Sequence, residues 1–405
     1  MTNKHLPVQS ILLLGLAAGL VAAAAAQAPK YASLDPTALG LKSRFTIEIR
    51  NPNPFILENL PVIFNVREIW DVIPDFQPYI HGMFEETKGE FALVRSQADD
   101  LNADRYHEEI VILKTLPPNS TTRLSCYYAP KGQISFRFPA KSFARQGRSD
   151  APDALGWESN LATFELVAGR IAAYGKLKEE LILRNLPAPE RMRMPWGMPI
   201  LPDGEGAGLG TICLWEGETR VPLFGPGAQS GLTFKREAVV RGPLRAAAKV
   251  TVSGLKLGGR EATVTMLFSA FADNLFCRQE VVVEGQGLSR VASGPGLLKL
   301  TGETSNLDAK KGILWTWGQG RPGAGEIGLA TIFPPQDFLG SAETPVDRFV
   351  KLRTTAGQKV VSWIYGGWQE GVMAPLQPYA QNWEIKVTEM ARKVLAPIQI
   401  TYKKD

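Results

Sequence analysis

The feature that most restricts the fold is a two-residue hydrophobic period, interrupted by turn residues and with no long 3.6-residue period beside it. Phe45, Ile47 and Ile49 alternate with Thr46, Glu48 and Arg50 before a turn at Asn51 to Pro54, and Val62, Phe64 and Val66 continue the pattern. It returns at Ala246 to Val252, Ala262 to Phe268, Glu280 to Val283, Val360 to Tyr365 and Ile398 to Tyr402. Successive side chains of a strand point to opposite faces, so each run reads as a strand with one face on a core. The 39 glycines and 29 prolines, about a sixth of the 405 residues, follow no short period and supply the turns such a chain needs. Together these predict an all-β protein, a large antiparallel β-sandwich with few short helices. The best helical candidates are Val167 to Ala173 and Trp383 to Leu395. A polar, turn-rich stretch from Ala144 to Asp153 divides an N-terminal β-rich region, residues 27–150, from a main β-sandwich region, residues 151–405.

Residues 1–26 differ from the rest: Lys4 and His5 precede an uninterrupted small and apolar run from Ile11 to Ala26, with no acid. This reads as a secretory signal peptide, with Ala24 to Ala26 as the small-residue cleavage site. The run is short for a membrane span, which needs about 20 residues, so the expectation is a periplasmic or secreted protein with no span after cleavage. Cleavage removes one cation and no acid, and the net charge falls from +5 to +4. That is too dilute for a nucleic-acid partner. Only His81 and His107 then remain, which excludes a His-rich metal site and any scheme built on several imidazoles. Cys126, Cys213 and Cys277 are an odd set for an oxidising compartment and read as small buried hydrophobes, with at most one disulfide. Serine-nucleophile, H-E-x-x-H and C-x-x-C motifs are absent.

Three clusters carry candidate chemistry. Asp100, Asn102, Asp104 and Glu108 follow the oxygen-ligand spacing of a calcium loop, although Arg105 stands where the sharp turn normally has glycine. The other reading is a solvated acidic hairpin, and no cofactor is required. His107 lies in that cluster, and His81 has an aromatic, apolar setting. In the second cluster, Trp157, Glu158, Arg170, Tyr174 and Lys176 bring an aromatic face, a carboxylate, a guanidinium, a phenol and an amine within 20 residues. These are the groups a site for an acidic sugar uses, and their alternative is core and strand exterior. In the third, Trp196 leads into Gly204, Gly206, Gly208 and Gly210, which fit a cleft wall or a close strand crossing better than a phosphate loop.

Several blocks in order carry a resemblance: Phe45 to Asn51 with Leu60 to Val62, Gln97 to Glu109, Leu116 to Asn119, Gly156 to Ser159, Tyr174 to Lys176, Trp196 to Met198, Gly206 to Trp215 and Arg241 to Arg245. The chain resembles a bacterial secreted family known as a domain of unknown function, associated with polysaccharide degradation and similar in fold to the galactose-mutarotase-like β-supersandwich. The resemblance implies carbohydrate-active chemistry on an oligosaccharide or polysaccharide partner, including a carbon–oxygen lyase (hydro-lyase) that dehydrates the terminal uronic acid of an oligosaccharide to an unsaturated sugar. Such a reaction needs cations on the carboxylate, a base for the C5 proton and an acid for the C4 hydroxyl. Arg170 and Lys176 suit the first task, Tyr174 or His107 proton transfer, and Trp157 or Trp196 stacking on the ring. The chain departs from the family pattern at Glu165, in a stretch where the family often has Arg and Tyr, and at Pro199, where it often has an acid. A non-catalytic carbohydrate-binding protein and a mutarotase-like or hydrolytic enzyme with Glu158 as one of two carboxylates remain as alternatives.

Overall fold

The alternation of Phe45, Ile47 and Ile49 becomes the strand Ser43–Asn51, whose odd-numbered side chains from Phe45 onward are fully buried. The structure, a computed structural model, describes residues 34–132, 136–186, 193–288, 291–372 and 379–405, so the signal peptide expected at 1–26 lies outside the described residues. No helix among the described residues is long and apolar enough to cross a membrane. The architecture is all-β, built from antiparallel sheets packed face to face, with two α-helices.

In the N-terminal sandwich, a five-stranded sheet runs in the order Gln399–Lys404, Ser43–Asn51, Ser120–Tyr128, His81–Thr87, Glu90–Val94. It shares a core with the three-stranded sheet of Leu57–Asn65, Glu109–Leu116 and Ser96–Asp99, where Phe45, Val62, Phe64, Ile112 and Leu124 meet. The last strand of the chain thus returns to pair with the first, and this unit is made of two segments far apart in sequence. Val66 does not extend the strand as its period suggests. Asn65 caps the short helix Val66–Val72 by accepting from the Arg67 amide at 2.9 Å, and the capped turn diverts the chain.

The main body is a supersandwich. Its eight-stranded sheet runs from Thr233–Arg241 through Arg245–Leu257, Arg260–Phe271, Phe276–Glu284, Lys359–Trp368, Glu326–Ile332 and Ile313–Gln319 to Thr301–Asp308. One continuous core joins it to two five-stranded sheets, with Trp157 and Phe164 from one, Leu214 and Val350 from the other, and Phe268 and Ile364 from the eight-stranded sheet. On the opposite face, Tyr365 packs beneath the helix Ala380–Val394, which buries Trp383, Val387 and Ala391 at four-residue spacing. Gly328 and Gly367, cross-strand neighbours, make the seat for Trp383, since a β-carbon at either would lie 2.3 Å from its ring. The other helical candidate, Val167 to Ala173, is instead a hairpin turn and a strand. Ala168 and Gly169 both take positive φ, +48° and +80°, which closes a tight turn that the apolar run conceals. The polar stretch from Ala144 to Asp153 is also a hairpin, between Ser142–Arg148 and Ala151–Ser159. All three cysteines are free and buried.

A buried charge cluster joins the two bodies. Arg245, with no exposure, donates to Asp99 at 2.7 Å and Glu109 at 2.6 Å. Gln97 braces it, accepting from the Leu244 and Arg245 amides and donating to Asp99 at 2.6 Å. Gly242 admits the Gln97 amide, which would lie 2.2 Å from a β-carbon. Removing one partner of such a cluster strands the others' charge in low dielectric. Arg245→Ala is therefore expected to cost about 3–5 kcal/mol in urea denaturation. A double replacement by Asp99→Asn and Glu109→Gln in the Arg245→Met background should recover much of that loss.

Candidate functional site

The second sequence cluster lies on the sheet of Ser142–Arg148, Ala151–Ser159, Thr163–Val167, Arg170–Lys176 and Gly197–Pro199. Its register aligns Arg145, Gly156, Glu165 and Ala172 in one row, and Glu158, Thr163, Tyr174 and Pro199 in another. The row between them, Ala144, Trp157, Phe164 and Ala173, faces the core. Alternation thus sends Glu158, Arg170, Tyr174 and Lys176 to one face and Trp157 to the other. Trp157 has no exposed surface, stacks on Phe268 with ring centroids 4.8 Å apart, and donates its indole N–H to the Cys277 sulfur at 3.1 Å. No face of this ring is open to a sugar.

At one end of the polar face, Lys176 and Glu158 form a buried ion pair at 2.9 Å. The Lys176 ammonium also donates to the carbonyls of Ser159 and Glu180, so its three donors are all used. Burial pushes its pKa down, against the pull of Glu158. Glu158 accepts in turn from Thr163 and from the Ile182 and Leu183 amides, beneath a cover of Ile182, Leu183 and Leu186.

In the middle of the face stands Glu165, fully buried, accepting from Arg145 at 3.1 Å, Arg148 at 2.7 Å and the Tyr174 hydroxyl at 2.7 Å. Burial, then the Glu165 charge, pushes the Tyr174 pKa well up, so the phenol stays protonated. Half-buried Trp196 tilts against Tyr174 with centroids 6.1 Å apart, and Pro199 is the residue paired with Tyr174 on the edge strand.

Tyr174, Glu165 and Arg148 open onto a cleft of about 800 Å³ between this sheet and the sheet containing Leu209–Glu216 and Asp347–Thr354. Arg170, Arg220, Arg321 and Asp347 also line it. Of the alternating glycines, Gly204 and Gly206 line one wall, and Gly208 is a strand crossing where a β-carbon would lie 2.2 Å from the Ile171 carbonyl. Arg170 holds that wall by donating to the carbonyls of Gly204 at 2.9 Å and Pro202 at 2.7 Å, which leaves its buried Nε without a partner. Arg321 forms a two-point pair with Asp203. Arg220 is exposed, lies over the Phe349 ring at 5.7 Å and has no acidic partner within salt-bridge distance among the described residues. Asp347 is nearly buried and accepts from the Ala207 amide at 2.7 Å. Burial raises its pKa, partly offset by that amide and by Arg220 and Arg170.

The remaining candidates lie in the N-terminal sandwich, outside this cleft. In the loop after Ser96–Asp99, Asp100, Asp104 and Glu108 bring carboxylate oxygens within 4.8 Å of one another. Arg105 takes φ +76°, the left-handed turn that glycine would supply. Much of the loop's oxygen is used internally: Asp100 accepts from the amides of Asn102, Ala103 and Arg105, Asn102 donates to Asp104, and Glu108 accepts from the Leu101 amide. His107 packs near Tyr79, with its Nδ1 buried and unpartnered, and does not line the cleft with Tyr174. His81, buried, bonds through its ring to the Pro78 carbonyl and Ser96, and burial lowers its pKa to about 4.

Of the sequence candidates, Tyr174 and Arg170 line the cleft, while Lys176 and Glu158 lie under cover beside it. Arg148, Arg220, Arg321 and Asp347 lacked a local signal, because each comes from a different strand or loop. Lys176→Met, which leaves Glu158 charged and buried, should lower stability by about 3–5 kcal/mol in urea denaturation, so any loss of function there should track loss of fold.

A family model described as Domain of unknown function (DUF4861) matches residues 49–400. Among solved structures, a protein in glycosyl hydrolase family 38 from Enterococcus faecalis is similar with a TM-score of 0.51 and 6% identity, over 89% of this chain and 48% of that one. An alpha-mannosidase from Enterococcus faecalis is similar with a TM-score of 0.43 and 6% identity, over 89% and 46%. The chain spans about half the length of these proteins; the likeness to the first, at 6% identity, is one of fold. No curated protein sequence matches it. With nearly all of its described residues inside the matched span, the chain belongs to the DUF4861 family.

Proposed function

We propose that this is a periplasmic or secreted carbohydrate-active enzyme, a hydro-lyase that removes water from the terminal uronic acid of an oligosaccharide. The observation that carries this reading is the convergence of a protonated Tyr174, an acid-free Arg220 and a nearly buried Asp347 on one cleft. The fold likeness to a glycosyl hydrolase family 38 protein supports a sugar as ligand.

In the elimination a base takes the C5 proton, the C4–O bond breaks, and the hydroxyl leaves as water with a proton from an acid, forming a C4=C5 double bond conjugated to the carboxylate. Arg220, with the Arg170 charge behind it, neutralises the carboxylate and acidifies C5. Asp347 is the base, because burial has raised its proton affinity above that of an exposed carboxylate. Tyr174 is the acid rather than the base: its raised pKa keeps it protonated, and its hydroxyl, which donates to Glu165 in the free protein, turns to the leaving C4 hydroxyl, with Arg148 beside it to offset the phenolate charge. Lys176 neutralises Glu158 instead of the substrate, which also removes Glu158 from a paired-carboxylate hydrolysis.

Incubation with uronic-acid-terminated oligosaccharides is expected to generate the ultraviolet absorbance of the conjugated uronate. Tyr174→Phe should lower kcat by about 100-fold or more with KM little changed, the scale of a lost general acid. Arg220→Ala should chiefly raise KM. The rate should fall as acid protonates Asp347, with a midpoint above the ordinary carboxylate range, and Asp347→Asn should abolish it. Absence of unsaturated product across a broad panel rules out the lyase, and binding without turnover leaves a carbohydrate-binding protein.

A further inference from the structure

The loop from Pro202 to Ala207 brings to the cleft two acids that the elimination does not use, Asp203 and Glu205. Arg170 fixes this loop by bonding the carbonyls of Pro202 and Gly204, on either side of Asp203. Gly206, at φ +116°, lets it pass Asp347, since a β-carbon there would lie 2.7 Å from the Asp347 carboxylate. Asp203 is largely exposed and holds Arg321 with both oxygens, at 2.9 and 3.1 Å. Glu205 is exposed and has no cation within salt-bridge distance among the described residues. Other guanidiniums of the cleft are occupied too: Arg148 by Glu165 at 2.7 Å and Asp150 at 2.6 Å, and Arg170 by the two loop carbonyls. Arg220 is left as the one cleft arginine without an oxygen partner among the described residues.

The cleft can therefore neutralise one added carboxylate and no second. A further anion meets Glu205 with no free cation to offset it, and like charges set against each other in a cleft are a device of specificity. We propose that the sugar joined to the terminal uronic acid is neutral, and that Asp203 and Glu205 set this specificity. Glu205 repels a second carboxylate, and Asp203 keeps Arg321 from binding one. The substrate is then an oligosaccharide in which a uronic acid caps or alternates with neutral sugars, and a polyuronate is rejected. The inference rests on the cleft being the uronic-acid site and deepens that reading.

The test is calorimetric Kd on the Tyr174→Phe protein, so that turnover does not intervene, for two disaccharides with the same terminal uronic acid. One has a neutral hexose as its second ring and the other a second uronic acid. The neutral-neighbour ligand is expected to bind about tenfold more tightly at low salt, the size of one uncompensated like-charge contact. Salt at about 0.5 M should shrink the difference by screening. Glu205→Gln, added to this protein, should narrow it. Asp203→Asn should narrow it further or reverse it, because Arg321 is then free to take the second carboxylate. Equal or tighter binding of the diuronate, or a folded variant that weakens both ligands by the same factor, overturns the restriction. Turnover of both disaccharides by the wild-type protein at equal kcat/KM sinks the restriction alone. A neutral-neighbour preference without turnover upholds the restriction and sinks the lyase.

Discussion

A β-strand presents its side chains to two faces in strict alternation, and in the sheet from Ser142 to Pro199 that constraint decides both the core and the cleft. Trp157, Phe164 and Ala173 must face the eight-stranded sheet to complete the main core. Their neighbours Glu158, Glu165 and Tyr174 are then committed to the opposite face, whatever their chemistry. Burying two carboxylates there is tenable only because each is fully supplied with donors, Glu158 by Lys176 and two amides, Glu165 by two arginines and a phenol. A one-residue slip in register would turn the ion pairs into the core and Trp157 out to solvent.

The Arg245 cluster plays the matching part between the two bodies. Gln97 and Arg245 belong to sequence blocks almost 150 positions apart, yet the Gln97 side chain bonds both the amide and the carbonyl of Arg245. The sandwich that carries the acidic loop and both described histidines is thereby held against the body that carries the cleft. The helix Ala380–Val394 adds a second tie, with Met390 and Val394 packing beside Val111 and Phe271.

Much of the fold was legible in the sequence, because two-residue alternation is local: the strand at Phe45 to Ile49 and the helix at Trp383 could be read from neighbours alone. Val167 to Ala173 misled because a tight turn of Ala168 and Gly169 has no polar residue to mark it. The site was half legible. Tyr174 and Arg170 share a strand and a face, and the same alternation, applied strictly, separates Trp157 from Glu158. Glu165 looked like a lost cation, but the fold gives it Arg145 and Arg148, so positive charge stands beside this position from a nearby strand. Arg220 and Asp347 join the cleft only through sheet packing, which no spacing rule encodes.

The proposed elimination stands on the cleft beside Tyr174 holding a saccharide with its carboxylate on Arg220. That ligand would engage the protonated Tyr174, the buried Asp347 and the exposed guanidinium of Arg220 together. The most direct measurement is a crystal structure of the Tyr174→Phe protein soaked with a uronic-acid-terminated trisaccharide. The expected density has the terminal carboxylate against Arg220 and C4 facing the edge of the phenyl ring that replaces the Tyr174 phenol; a trisaccharide bound elsewhere, with this cleft filled only by water, overturns the lyase reading.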